Sequence, residues 1–182
     1  MTATDRRFSH VPAGGGPTYN IIGERITFKV TSAETGDAFS VAELASPPGG
    51  GPPLHTHPAA ETFIILEGTF EFSGLDGEPY AIWATPGDTV YIPGGAPHTY
   101  KNAGPTPARA LGVLAPGGEM ERFFAEAGTL VSDPSIPAAP AEPPSEAQIA
   151  RMIVIAGRHE IFFLPPQVAA AGHGDTMGVR HG

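Results

Sequence analysis

The chain contains no cysteine. That excludes a disulfide framework and any thiolate-held metal, and it fits a reducing compartment such as the cytoplasm. Positive charge is scarce too: ten Lys and Arg stand against nineteen Asp and Glu, for a formal net charge of −9. Nucleic acid is disfavoured as a partner, because its affinity rests on cations at phosphates. An anionic membrane surface is disfavoured for the same reason. No apolar run reaches the length of a membrane span. The opening MTATDRRFSHVPAGGGP lacks the apolar stretch of a secretion signal. Together these absences suggest a soluble, acidic, cytoplasmic protein.

What is present is turn chemistry and short apolar segments. Among 182 residues there are 24 glycines and 21 prolines, while 41% of residues are hydrophobic, enough for one packed domain. After a polar, Gly-rich arm over residues 1–17, short strand-like segments follow one another: TYNII, RITFKV, AFSVAELA, ETFIILEGTFEFSG, YAIWAT, DTVYIP, HTYKN and ARALGVLA. Gly, Pro and Asp separate them, with SAETGD read as a turn. This pattern predicts an all-β barrel or sandwich over residues 18–115.

Beyond Pro116 the period changes. Met120, Phe123, Phe124 and Ala127 fall at helical spacing, with Gly128 placed to end the helix. A Pro/Ala connector follows, and Ser145 with Gln148 forms a capping box that opens a second helix with Ile149, Met152, Ile153 and Ala156 as its apolar face. EIFFLPP adds an extended segment. The extension is expected to span residues 116–166, and a small polar tail over residues 167–182 is expected to be disordered. Each helix has a single apolar stripe, so both should pack on the barrel rather than form a second domain.

Two segments carry the chemistry. The first reads Gly49, five residues, His55, Thr56, His57, three residues, Glu61, six residues, Gly68. The second reads Gly87, five residues, Pro93, Gly94, Gly95, two residues, His98, three residues, Asn102. His55 and His57 are two apart, so in an extended chain both imidazoles leave one face. Pro58 breaks the ladder, after which Glu61, Phe63 and Ile65 share a face. His98 follows the PGGAP turn, from which a neighbouring strand can bring it across. Three imidazoles and a carboxylate suit one divalent transition ion, whether Fe, Mn, Co, Ni, Cu or Zn. His10, His159, His173 and His181 have no such spacing, and Asn102 reads as a residue that fixes backbone at a strand end.

These two segments resemble the paired motifs of the cupin superfamily over residues 18–115, and the extension with PGGEMERFF is similar to bacterial single-domain cupins of the quercetin 2,3-dioxygenase-like type. The resemblance implies a double-stranded β-helix (jelly-roll) barrel with the short C-terminal helices packed on it. It also implies a metal at His55, His57, Glu61 and His98, and oxygenative cleavage of a flavonol or related cyclic enol. Glu61 then has two roles open to it, ligand and general base. Two further readings stay open: an oxygen-independent isomerase or cyclase using the same ion, and a non-catalytic module that binds a small molecule. Phe63, Phe72, Trp83 and Tyr100 are expected either in a substrate pocket or in the core. Phe123 or Phe124 either reaches the mouth of the site or packs outside the barrel. In TFIIL both faces are apolar, which calls for a cover supplied by a second subunit, giving a homodimer, or by the helices.

Overall fold

The computed structural model describes residues 8–132 and 145–165. Most of the Pro/Ala connector, the tail with His173 and His181, and the first part of the arm lie outside the described residues. Two antiparallel sheets make the framework. Strands β1 (Thr18–Ile21), β2 (Glu24–Val30), β3 (Ser40–Ser46), β4 (His55–Thr56) and β5 (Ala60–Glu67) are followed by β6 (Phe70–Asp76), β7 (Glu78–Ala84), β8 (Thr89–Ile92), β9 (His98–Asn102) and β10 (Ala108–Ala115). Two-residue strands β11 (Thr129–Leu130) and β12 (Phe162–Phe163) complete the set. One sheet runs β11-β1-β2-β3-β10-β5-β8 and the other β12-β4-β9-β6-β7.

Alternation places the core between the sheets. Every second residue of β3 is buried, as is every second residue of β10 from Ala108 to Leu114. The aromatic centre joins the sheets: the ring of Phe63 on β5 lies 5.3 Å from Phe72 on β6 and 5.6 Å from Tyr100 on β9. Such pairs add roughly 0.5–1.5 kcal/mol each beyond the area they bury. The expected all-β barrel is therefore present, and its strands fall within a few residues of the apolar segments of the sequence.

Among the described residues, three helices decorate it. SAETGD contains a one-turn helix, α1 (Ser32–Thr35), where the sequence suggests only a turn. The reason is local: Glu34 accepts hydrogen bonds from the Thr31 amide and hydroxyl, both at 2.8 Å, and Gly36 at φ 64° ends the turn. Helix α2 (Glu119–Ala127) buries Met120 and Phe123 in the barrel's own core cluster, and Phe124 packs against Phe28 with ring centres 6.1 Å apart. Helix α3 (Glu146–Arg158) opens with the Ser145–Gln148 capping box.

The buried face of α3 agrees with the expected one at Ala156, and Met152 packs against the core, but the face is rotated at the two isoleucines. Ile155 and Ala156 are buried, whereas Ile149 and Ile153 are 45% and 52% exposed. Contacts with α2 and β12 set the helix rotation, and they leave Ile149 and Ile153 at the rim of a cavity rather than under the barrel. Trp83 also departs from both readings offered for it. It sits on the edge strand β7, 64% exposed, in neither pocket nor core. Nor do the helices cover the outer face of TFIIL: Ile64 and Leu66 remain 36% and 43% exposed.

Candidate metal centre

His55 and His98 form a directly opposed pair across β4 and β9, so the ladder itself brings the two motifs together. Their ring centres are 4.4 Å apart. His57 leaves the same side two residues on, with its ring 5.4 Å from His55 and 5.0 Å from His98. The approach of the two motif loops depends on two glycines. A Cβ at Gly94 would stand 2.1 Å from the Pro58 carbonyl oxygen, and Gly95 holds φ at +80° while its amide donates to the His57 carbonyl at 2.8 Å. The Thr56 hydroxyl donates to the Gly95 carbonyl at 2.8 Å and closes the same junction.

Each of the three imidazoles offers a nitrogen, and these nitrogens lie within 4.8 Å of one another. Two rings are oriented by backbone. Nδ1 of His55 lies 2.9 Å from the Pro53 carbonyl and Nδ1 of His98 lies 2.8 Å from the Ala96 carbonyl. A carbonyl can only accept, so each Nδ1 carries the proton and leaves the Nε2 lone pair bare, the arrangement usual for metal-binding histidines. Nε2 of His98 and both ring nitrogens of His57 are buried without a hydrogen-bond partner. Buried polar atoms without partners are costly. A divalent ion accepting those lone pairs would remove that cost, so the donor set fits such an ion.

Glu61, from β5, meets the cluster from the other sheet. Its carboxylate oxygens lie 3.4 Å from Nε2 of His57 and 3.3 Å from Nε2 of His98. Burial alone would push its pKa up, but the contacts and charges of His57 and His98 outweigh that and hold it at about 2. Burial, helped by the charge of His98, lowers His55 to about 4, so it is a neutral donor at neutral pH. For His98 burial acts downwards, and the adjacent Glu61 carboxylate more than reverses it.

The cluster opens onto a cavity of about 380 Å³ whose wall includes His55, Glu61, Phe63, Tyr100 and Phe123. Phe72 is absent from that wall; it is buried behind Phe63 and lines a second cavity of about 110 Å³ that His98 also touches. Phe123 and Phe124 of α2 and Ile149, Met152 and Ile153 of α3 line the larger cavity, so the extension shapes it directly. Phe163 of β12 packs on the His55 ring, with centres 6.3 Å apart. Asn102 donates to the Ser46 and Thr106 carbonyls and accepts from the Gly104 amide, a purely backbone-fixing role.

One polar residue of the cavity wall lies in neither motif. Glu24 on β2 is 6% exposed, lines the cavity, and accepts a 2.9 Å hydrogen bond from the Tyr100 hydroxyl. The signal was legible: Glu24, Ile26 and Phe28 alternate on one face of β2, so a carboxylate stands on an apolar face. Burial raises its pKa to about 7, against the pull of the Ser46 and Tyr100 hydroxyls. Between about pH 4.5 and pH 7 the folded chain therefore keeps a proton that the unfolded chain releases, and stability falls as pH rises through that window. Glu24→Gln should remove this slope. Relative to wild type it should gain on the order of 3 kcal/mol between pH 4 and pH 8. Urea midpoints at the two pH values check it; parallel curves for wild type and variant would contradict it.

Comparison with known proteins agrees with this architecture. A family model described as the cupin domain matches residues 42–114. A germin-like protein, subfamily 3 member 3, of Arabidopsis thaliana is 32% identical over 142 residues, covering 73% of this chain and 67% of that protein. Auxin-binding protein ABP19a of Prunus persica is 37% identical over 117 residues, covering 61% of this chain and 56% of that protein. An oxalate oxidase structure aligns with a TM-score of 0.52 and 27% identity over 64% of this chain and 65% of that one. The chain belongs to the cupin family. It spans 38%, 56% and 55% of the length of three curated auxin-binding relatives that it matches. No helix among the described residues is long and apolar enough to cross a membrane.

Proposed function

We propose that the chain is a metal-dependent cupin dioxygenase of quercetinase-like type, acting on a flavonol-like or related cyclic enol. In this reading His55, His57, His98 and Glu61 hold one divalent transition ion, and dioxygen is the second substrate. The observation that carries the reading is the junction of bare imidazole nitrogens with a large apolar cavity. Among the residues lining the cavity there is no Lys or Arg, and its two charged-type residues, Glu24 and Glu61, are acidic. Beyond the ion itself a small dianion would find no cationic side chain there, whereas a neutral, flat, aromatic molecule matches Phe63, Tyr100, Phe123 and Phe124.

When bound, the ion would act as a Lewis acid toward a chelating hydroxyl and carbonyl of the substrate. The chain's own residues do the rest. Glu61 is ionised, and it accepts the proton of the substrate hydroxyl. Phe63 and Phe123 hold the rings and exclude water, and α2 with α3 closes the mouth. Oxygen uptake by the purified protein with a panel of flavonols tests the reading. Uptake proportional to flavonol consumed is expected. Turnover without oxygen uptake would favour the isomerase or cyclase reading. Tight binding with no turnover would favour the binding-module reading, which the auxin-binding name of a relative supports.

We also propose a cytoplasmic homodimer, the cytoplasmic setting resting on the absence of cysteine. Ile64, Leu66 and Tyr91 are exposed on the outer face of neighbouring strands β5 and β8, and β8 is a sheet edge. A second copy would cover that face and that edge. Light scattering at micromolar concentration should give twice the 18.8 kDa chain mass; a monomer mass would contradict it.

A further inference from the structure

The cavity wall carries two separate polar stations. One is the metal cluster, represented by His55 and Glu61; the other is the Glu24 carboxyl with the Tyr100 hydroxyl. Everything else in the wall is aliphatic, aromatic, Met, Gly or Pro. The two stations are fixed relative to each other. Tyr100 and His98 lie two residues apart on one face of β9, which places their backbones about 6–7 Å apart. Glu24 follows the tight β1–β2 hairpin, whose tip residues Ile22 and Gly23 both have positive φ, 48° and 82°. Ile22 also lines the cavity. A β-branched residue held in that region indicates a tip fixed by its surroundings rather than by its own preference.

Glu24 is not explained by the packing of the barrel. It is more than nine-tenths buried, Oε2 accepts from Tyr100, and Oε1 makes no well-directed hydrogen bond. The neighbouring Ser46 hydroxyl is equally without one. A buried carboxyl with a spare oxygen costs stability unless something satisfies it. Neither motif, nor the metal reading, uses it.

We propose that Glu24, positioned by Tyr100, is a second ligand-recognition point that binds a hydroxyl group of the cavity's ligand. The ligand class that follows is a flat, largely apolar, hydroxylated ring system, with one polar end for the metal cluster and a separate hydroxyl for Glu24. A ring system without that hydroxyl leaves the carboxyl unpaired and binds more weakly. A site built around a hydrogen bond discriminates against analogues that lack it more sharply than an apolar pocket discriminates by size. The inference rests on the reading of this cavity as the substrate site, and it requires no metal chemistry.

The test uses two probes that do not chelate metals, 2-naphthol and 2-methoxynaphthalene, titrated by their own fluorescence into the full-length protein with and without EDTA. Wild type is expected to bind 2-naphthol at least tenfold more tightly, with the same ratio in both conditions. Glu24→Leu should bring the ratio to within about twofold by weakening 2-naphthol alone. Glu24→Gln, in which Tyr100 can still donate to the amide oxygen, should lower the ratio as well, and it decides the matter if the leucine variant does not fold. Equal affinities in wild type, failure of 2-naphthol to bind, or an unchanged ratio in the variants would each overturn the proposal. Loss of dioxygenase activity across a flavonol panel would leave this binding result standing, so the two readings fail separately.

Discussion

Replacing His57 by alanine is expected to abolish metal binding and turnover together while leaving the fold intact. His57 is buried, yet neither of its ring nitrogens makes a hydrogen bond within the protein. Removing the ring therefore orphans no backbone group, unlike removal of His55 or His98, whose Nδ1 atoms are tied to the Pro53 and Ala96 carbonyls. The loss falls on the ion. Even the partners that merely orient a metal ligand are worth about 10–100-fold in affinity or activity, so loss of the ligand itself should cost more than about 100-fold. Elemental analysis of the dialysed variant should find less than about a tenth of the wild-type ion content, with unchanged far-ultraviolet circular dichroism. A His57→Ala protein that retained a full complement of ion would show that the cluster is not the binding site.

Glu61→Gln separates the two roles proposed for one residue, ligand and general base. The amide keeps the shape and a weak oxygen donor but cannot accept a proton at neutral pH. Turnover should fall by about 10²–10⁴-fold, the usual worth of a positioned general base. Metal content should fall much less, because three imidazoles remain. Charge adds a second signature. The carboxylate raises the pKa of His98, so its neutralisation should let that imidazole titrate lower and extend ion retention to lower pH per remaining donor. Equal losses of ion and turnover would make Glu61 a ligand only; intact turnover would remove it from the mechanism.

Much of this site is legible in the order of residues. His55, Thr56 and His57 give a two-residue period that only an extended chain uses to bring imidazoles to one side. The two spaced motifs also imply that His98 joins them, which the β4–β9 pairing accomplishes. Strand positions are legible because β3 and β10 alternate cleanly. Four features are less so. The rotation of α3 depends on contacts with α2 and β12, and helical spacing that places Met152 and Ala156 inward does not show that Ile155 rather than Ile149 and Ile153 joins them. The exposure of Trp83 follows from β7 lying at a sheet edge, which a succession of strands does not give. The carboxylate of Glu24 stands out on the apolar face of β2, but its partner Tyr100, 76 residues away, cannot be read from that spacing. Likewise, Phe63 and Phe72 look equivalent in sequence, yet only Phe63 reaches the larger cavity.

Convergence of the two motifs on one ion beside an apolar cavity is tested most directly by anomalous diffraction. Crystals of the full-length protein would be grown after supply of the divalent transition series, with data collected at the absorption edge of whichever metal elemental analysis detects. One peak per chain is expected, within about 2.0–2.3 Å of His55, His57 and His98 nitrogens and a Glu61 oxygen. A peak elsewhere, or none in protein supplied with every one of these metals, would contradict it.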